Sequence, residues 1–392
     1  MALSKIDVAN MLTGATPITN GGTGLTTNVS RRNATPLIIN GDMHVAQRGT
    51  SSTGVSSSSY QTCDRMQIVL SNLGAYTIIQ EDLSSGDAYN NGFKHAWRID
   101  TTTADASPGS ADLAIFRYKF EGQDVQVFKK GASNAETYTL AFWVKSNKTG
   151  VGQVNLSDTD NTRMCSATYT ISSADTWEHK VLNYAADTTG AFGNDNAVSL
   201  QIDWFLDSGS NFEGGSAPTA WEAQSDGDRN ASGNLNIGDN TANDWAITGI
   251  QLEVGTFSST TLPPFQFESF ANNLARCQRY FYNHVDRRVS VGQSDDNMII
   301  GKGGFNSSSQ FEATVHFPVT MRTAPTLELG SGNNFFKLFV SNTSHTFDDF
   351  QIHADQNNAL SLFKGNFSGT QGDAGNLTIN NANAFVHFGC EL

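Results

Sequence analysis

Residues 245–282 read WAITGIQLEVGTFSSTTLPPFQFESFANNLARCQRYFY, and the change of period within this stretch decides the fold. Ile247, Gly249, Gln251 and Glu253 alternate with Thr248, Ile250, Leu252 and Val254, the two-residue period of a half-buried strand with its apolar side on one face. Pro263 and Pro264 forbid its continuation, because proline offers no N–H to a ladder. Beyond Glu268, Phe270, Leu274, Cys277 and Phe281 recur at spacings of four, three and four, which places them on one stripe of a short helix, with Arg276 and Arg279 off it. So short a helix is marginal alone in water, so the stripe needs a surface: the adjacent sheet, or its own copies around a symmetry axis. The spacing is that of heptad a and d positions, over too few turns to establish a coiled coil. The stretch reads as a hinge between two modules.

The rest of the chain agrees with strands on both sides of this hinge. Among 392 residues, 38% are hydrophobic and 16% charged, with 36 glycines against 8 prolines, the profile of short strands joined by many turns. An all-β fold follows, with two β-sandwich, jelly-roll-like domains joined by a short helix. Tyr138, Leu140, Phe142 and Val144 alternate with Thr139, Ala141 and Trp143, and Leu200, Ile202, Trp204 and Leu206 with Gln201, Asp203 and Phe205. The expected layout is a segment over residues 1–35, a first sandwich over 36–255, a linker and helix over 256–284, and a second sandwich over 285–392. The first segment carries few large apolar residues, so it buries no core of its own.

Composition also removes whole classes of partner. The net charge of −14 argues against nucleic acid, which is bound by clustered Lys and Arg that displace counterions. Cys63, Cys165, Cys277 and Cys390 stand far apart with no C-x-x-C pair, which is neither a disulfide framework nor a zinc site and fits assembly in a reducing cytoplasm. No signal-like run follows Met1 and no stretch reaches the roughly 18 apolar residues of a membrane span, so no membrane insertion is expected.

Several segments resemble one family in order: IINGDMHVAQRGT at Ile38–Thr50, TLAFWVKSNKTG at Thr139–Gly150, SSADTWEHKV at Ser172–Val181, TGIQLEVGT, LARCQRYFY, and VHFPVTMRTAPTLEL at Val315–Leu329. The chain resembles tail-fibre proteins of tailed bacteriophages that carry a jelly-roll module similar to a carbohydrate-binding module. The resemblance implies a non-enzymatic homotrimer, made in the bacterial host cytoplasm and carried on the virion. Residues 1–35 would attach it to the phage tail, baseplate or an adaptor protein, and the distal unit would bind a host surface glycan or protein. It favours an axial, subunit-to-subunit contact for Phe270, Leu274, Cys277 and Phe281. Alternatives are a polysaccharide-cleaving tailspike and a decoration or adaptor protein of the virion that never meets the host.

Catalytic signatures are missing: there is no H-E-x-x-H, G-x-S-x-G or G-x-x-x-x-G-K-[ST]. Glu121, Asp124, Glu222 and Asp226 are the carboxylates weighed for a glycosidase pair, though spacing in a β fold cannot show one. Asp226, Asp228, Asn230 and Ser232 alternate like calcium ligands, but Ala231 and Ile237 stand where an EF-hand needs Gly and Glu. By resemblance, a structural calcium would sit between Asn40–Gly41–Asp42 and the last strand, where this chain has Thr248–Gly249 rather than a carboxylate. Sugar recognition needs exposed aromatic faces beside short polar groups. Trp143, Trp177, Trp204 and Trp245 lie in strand contexts and read as core. Trp221, Tyr60, Tyr89 and Phe212, in turn-rich surroundings, are the candidate platforms, or else fold back over a sandwich end. In the distal unit His345, Phe347, Asp348, Asp349 and His353 are candidates for a hydroxyl-rich ligand, or form an ordinary turn.

Overall fold

Strand β13 (Asp244–Val254) lies near the middle of a six-stranded antiparallel sheet. In spatial order that sheet is β1 (Ser51–Val55), β4 (Ala75–Asp82), β5 (His95–Thr103), β13, β7 (Tyr138–Ser146) and β10 (Glu178–Tyr184). It faces a seven-stranded sheet of β12 (Glu222–Ala223), β9 (Arg163–Ile171), β8 (Gly150–Asp158), β11 (Val198–Ser208), β6 (Leu113–Glu121), β3 (Gln67–Ser71) and β2 (Ser59–Tyr60). The computed structural model describes residues 35–286 and 298–392; the attachment segment expected over residues 1–35 lies, apart from Thr35, outside them. The fold is all-β, with two α-helices among the described residues: α1 (Asp87–Asn90) and α2 (Phe270–Gln278).

Alternation explains the core between the two sheets. Leu140, Phe142 and Val144 of β7 and Leu200, Ile202, Trp204 and Leu206 of β11 are all fully buried in it, as a period of two requires when one face packs inward. One polar cluster is buried with them. The Lys130 ammonium is held by Asp158 at 2.5 Å, Asp187 at 3.0 Å and the carbonyl of Gly190 at 2.7 Å, so the charge enters the interior fully paired.

The decisive strand departs from a simple period. Gly249 has φ +62°, and the β13–β7 register shifts between Thr248 and Gln251, which makes a bulge. The sequence pattern puts Ile247 on the polar side; the extra residue instead returns Ile247, Ile250 and Leu252 all to the core. A Cβ at residue 249 would lie 2.6 Å from the Phe93 ring, so glycine is required both by its backbone and by its neighbour.

The helix stripe also needs correction. α2 is capped by Ser269, whose side chain accepts from the Asn272 N–H, and it ends at Gln278, so Phe281 is not on it but opens strand β14 (Phe281–Asp286). Cys277 and Leu274 pack with Ile39, Val45 and Tyr280 of the same chain, and Phe281 is buried beneath the Arg48 guanidinium at 3.5 Å. Cys277 and Phe281 are buried within the one chain and not free to meet other copies, whereas Leu274 is half-buried and Phe270 is exposed, at 50%.

β14 leads into the second unit, pairing with β23 (Phe385–Gly389), which pairs with β17 (Thr326–Leu329). A seven-stranded sheet completes it: β19 (Thr343–Phe347), β18 (Phe336–Val340), β22 (Ala374–Ile379), β15 (Ile299–Phe305), β16 (Phe311–His316), β21 (Ala359–Lys364) and β20 (Gln351–Asp355). Its core gathers Phe336, Leu338, Leu362, Ile379 and Phe388. The seam between the units is polar and tightly bonded. Glu121, fully buried, accepts two bonds at 2.7 Å from Arg279 and one at 2.6 Å from Tyr280. Burial works to raise its pKa, but those bonds outweigh it and hold it below the ordinary Glu value. Arg65 stacks on Tyr280 at 3.5 Å and pairs with Glu391.

Candidate functional site

The outward side of the six-stranded sheet carries the most ligand-like surface. With Phe142 and Val144 turned inward, Trp143 of β7 must point out, where it is half-buried. His179 of β10 stands directly opposite it in register, and the two rings stack at 4.8 Å and 28°, a cross-strand pair of the kind that stabilises sheets. Desolvation beside the indole holds the His179 pKa below the ordinary imidazole value, leaving it neutral at pH 7.

The chain after β13 folds back to build the opposite wall. Gln251 Nε2 donates to the Pro263 carbonyl at 3.0 Å, fixing the Pro-Pro turn over the sheet. Phe265 and Phe267 then lean on Phe93 with ring centroids 4.9 and 5.1 Å away, and Phe267 remains 49% exposed. The result is a cleft of about 350 Å³ with aromatic walls, amides from Asn91 and Gln251, and no charged side chain in its lining. Such a surface can stack on apolar C–H faces and bond hydroxyls. It holds no carboxylate, so the acid and base of the usual glycoside hydrolysis are absent from it.

The sequence-expected residues lie elsewhere and do not converge. Trp221 is 7% exposed: its Nε1 donates to the Ala185 carbonyl at 2.8 Å and its ring packs near Tyr138 in the core. Phe212 is buried against Phe205 on the outside of the seven-stranded sheet. Tyr89, on α1, is half-buried under the Lys94 ammonium at 3.6 Å, and Tyr60 donates its hydroxyl to the Leu392 carbonyl in the seam. Trp221 and Phe212 are therefore not exposed platforms.

In the distal unit Phe347 faces inward and packs on Phe336 and Phe367, as its place in the β19 alternation demands; it is core, not a binding face. His345 lies on β19 and His353 on β20, at opposite ends of the strand order. Asp348 accepts from the Asn334 N–H at 2.5 Å, Asp349 pairs with Lys364, and His353 pairs with Glu312 at 2.9 Å. These are local ties with different partners.

The oxygen ladder also disperses. Asp226 pairs with Arg229, Asp228 accepts from the Ser216 N–H, and Asn230 donates to Ser208. In the Asn40–Asp42 turn, Asn273 of α2 accepts from the Asn40 N–H at 3.0 Å and donates to Asp42 at 3.2 Å, while Thr248 donates to the His95 carbonyl. Among the described residues no three His, Cys, Asp or Glu side chains are placed to share a metal ion. Of the carboxylates weighed for catalysis, Glu121 is sealed in the seam, and Asp124, Glu222 and Asp226 are exposed.

Sequence reasoning missed Trp143 and His179, although the signal was present: Trp143 falls on the parity opposite Leu140, Phe142 and Val144. No protein-family model matches the chain, and no curated protein matches it. Among solved structures it is similar to the enzymatically active domain of tailspike protein 4 of bacteriophage CBA120, at 11% identity and a TM-score of 0.29 over 56% of this chain and 21% of that one. A Bacteroides thetaiotaomicron protein described as sugar-binding gives 14% and 0.30, over 56% of this chain and all of the other. A tandem CBM22 domain of Paenibacillus barcinonensis Xyn10C gives 8% and 0.23, over 88% and 98%. Likenesses of this extent decide neither ligand nor activity.

Proposed function

We propose that the chain is a non-enzymatic, glycan-binding subunit of a phage tail fibre, which grips a neutral stretch of host surface glycan in the Trp143–His179–Phe267 cleft. The observation that carries the glycan reading is the cleft itself: stacked indole and imidazole on one wall, phenyl rings on the other, amides between, and no charge. A sugar ring presents apolar C–H faces and polar edges, and this surface matches both. The tail-fibre part rests on the sequence resemblance. On that reading residues 1–35 attach to the virion, three copies assemble, and several weak sites per particle add up to stable adsorption.

The test is a binding titration of the protein with capsular polysaccharide and lipopolysaccharide extracted from a panel of bacteria. At least one preparation should bind, Trp143→Ala should weaken it at least about tenfold, and Phe347→Ala should not act through the same site. Equal binding by Trp143→Ala would remove the cleft from the account. New reducing ends in the incubated polysaccharide would favour a cleaving tailspike instead, and a solution mass of one chain, 42.2 kDa, would contradict the trimer.

A further inference from the structure

A second and larger cleft, about 720 Å³, opens along the seam between the two units. One wall comes from the first sandwich, with Arg48, Tyr60 and Gln61; the other comes from the second unit, with Arg322, Thr323 and Glu328. The chemistry of this cleft differs from that of the outer-face cleft, because its walls carry guanidinium groups.

Arg322 is the informative side chain. Its Nε donates to the Cys390 carbonyl at 2.8 Å, Nη1 to the Asn196 carbonyl at 2.9 Å and Nη2 to the Glu391 carbonyl at 3.0 Å. Those bonds fix the guanidinium plane but use three of its five N–H groups, all on neutral oxygens. Among the described residues no carboxylate lies within ion-pair distance of it, so its charge is unmatched while its orientation is set. At the facing wall the single Glu391 carboxylate is shared by Arg48, at 3.2 Å, and the fully buried Arg65, and Arg48 Nη1 is buried without an acceptor. The lining thus holds two guanidiniums, Arg48 and Arg322, and two carboxylates, Glu391 and the exposed Glu328; with Glu391 engaged by Arg48 and by the buried Arg65 behind it, Arg322 is the cation left without a carboxylate partner among the described residues. Ser59, Gln61, Thr323 and Thr326 add hydroxyl and amide groups to the lining.

We infer that the seam cleft is a second ligand site, selective for a carboxylate-bearing sugar, whose acid group pairs with the two remaining N–H groups of Arg322 while its hydroxyls meet the polar rim. A planar guanidinium held by carbonyls is preorganised for bidentate carboxylate binding. The volume takes one or two sugar rings. Because both units line it, a bound ligand also bridges them. This site does not depend on the reading of the outer-face cleft, and its ligand differs from that cleft's in charge.

Titration of the whole chain with oligogalacturonate and with the neutral oligogalactoside of the same length tests it. The acidic oligomer should bind at least about tenfold more tightly than the neutral one, and raising salt should erode the difference. Arg322→Gln should remove that preference. Because Arg322 also ties the seam together, Thr323→Glu is the second variant: it leaves every Arg322 carbonyl bond in place and sets a negative charge in the cleft, and should weaken the acidic oligomer at least about tenfold. Trp143→Ala should change nothing here. Equal affinity for the two oligomers, full binding by Thr323→Glu, or loss of acidic-oligomer binding in Trp143→Ala would each overturn the proposal.

Discussion

The two clefts are built by opposite means. The outer-face cleft belongs to a single sheet and the chain that folds back over it: a bulge at Gly249, a Pro-Pro turn and four aromatic rings leave a neutral surface. The seam cleft exists only because two units meet, and it is walled by arginines, glutamates and hydroxyls. The difference follows from where backbone and charge can go. A strand face beside a core is read by alternation and exposes whatever stands on the outward parity. A junction between folded units brings together loops and chain ends, whose polar groups must be paired across it.

The comparison can be broken first at Gly249. Gly249→Val would place a β-branched residue at φ +62° and against Phe93, and should destabilise the first sandwich by about 3 kcal/mol while abolishing binding in the outer-face cleft; chemical unfolding with the binding titration reads both. A stability loss within a few tenths of a kcal/mol would mean that the bulge does not shape the cleft.

Arg279→Ala attacks the other side. It leaves the buried Glu121 with only Tyr280 and Gln123, and because Arg279 itself is 30% exposed the cost should be about 2 kcal/mol rather than that of a fully buried pair. Limited proteolysis should show the two units loosening while the outer-face cleft keeps its affinity.

A smaller effect lies in pH. Burial pushes the Asp64 carboxyl, bonded to Gln47 beside the seam, up to about 6. The folded chain then holds that proton more tightly than the unfolded one, so this group favours folding in acid, and its contribution is lost as pH rises from 3.8 through about 6. Relative to the wild type, Asp64→Asn should flatten the fall of stability across that window, removing about 3 kcal/mol of pH dependence at most. An unchanged slope would show that Asp64 is not desolvated.

The smallest stability effect should come from Trp143→Ala, under about 1 kcal/mol because the ring is half-buried on an outer face, although it should weaken glycan binding at least about tenfold.

The strands, the break at Pro263–Pro264 and the all-β class were legible because alternation and proline act locally. The bulge was not: Ile247 stood on the wrong parity, and only the inserted Gly249 reconciles it with Ile250 and Leu252. The end of α2 at Gln278 was hidden too, since Phe281 keeps the helical spacing yet pairs in register with Gly389 of β23. Trp221 looked exposed because its surroundings are turn-forming; its indole N–H finds the Ala185 carbonyl far along the chain, and no local pattern announces such a partner. The seam was invisible for the same reason, as Arg48, Arg65 and Glu121 meet residues beyond position 278.

Trp143 offers the most direct test of the central claim. Of the six tryptophans, Trp97, Trp177, Trp204, Trp221 and Trp245 are buried and Trp143 is the one that reaches solvent. Oxidation by N-bromosuccinimide, with the modified site located by mass spectrometry, should strike Trp143 first in the folded protein, and a saturating polysaccharide ligand should protect it. Rapid oxidation of Trp143 at an unchanged rate with the ligand bound would contradict the account.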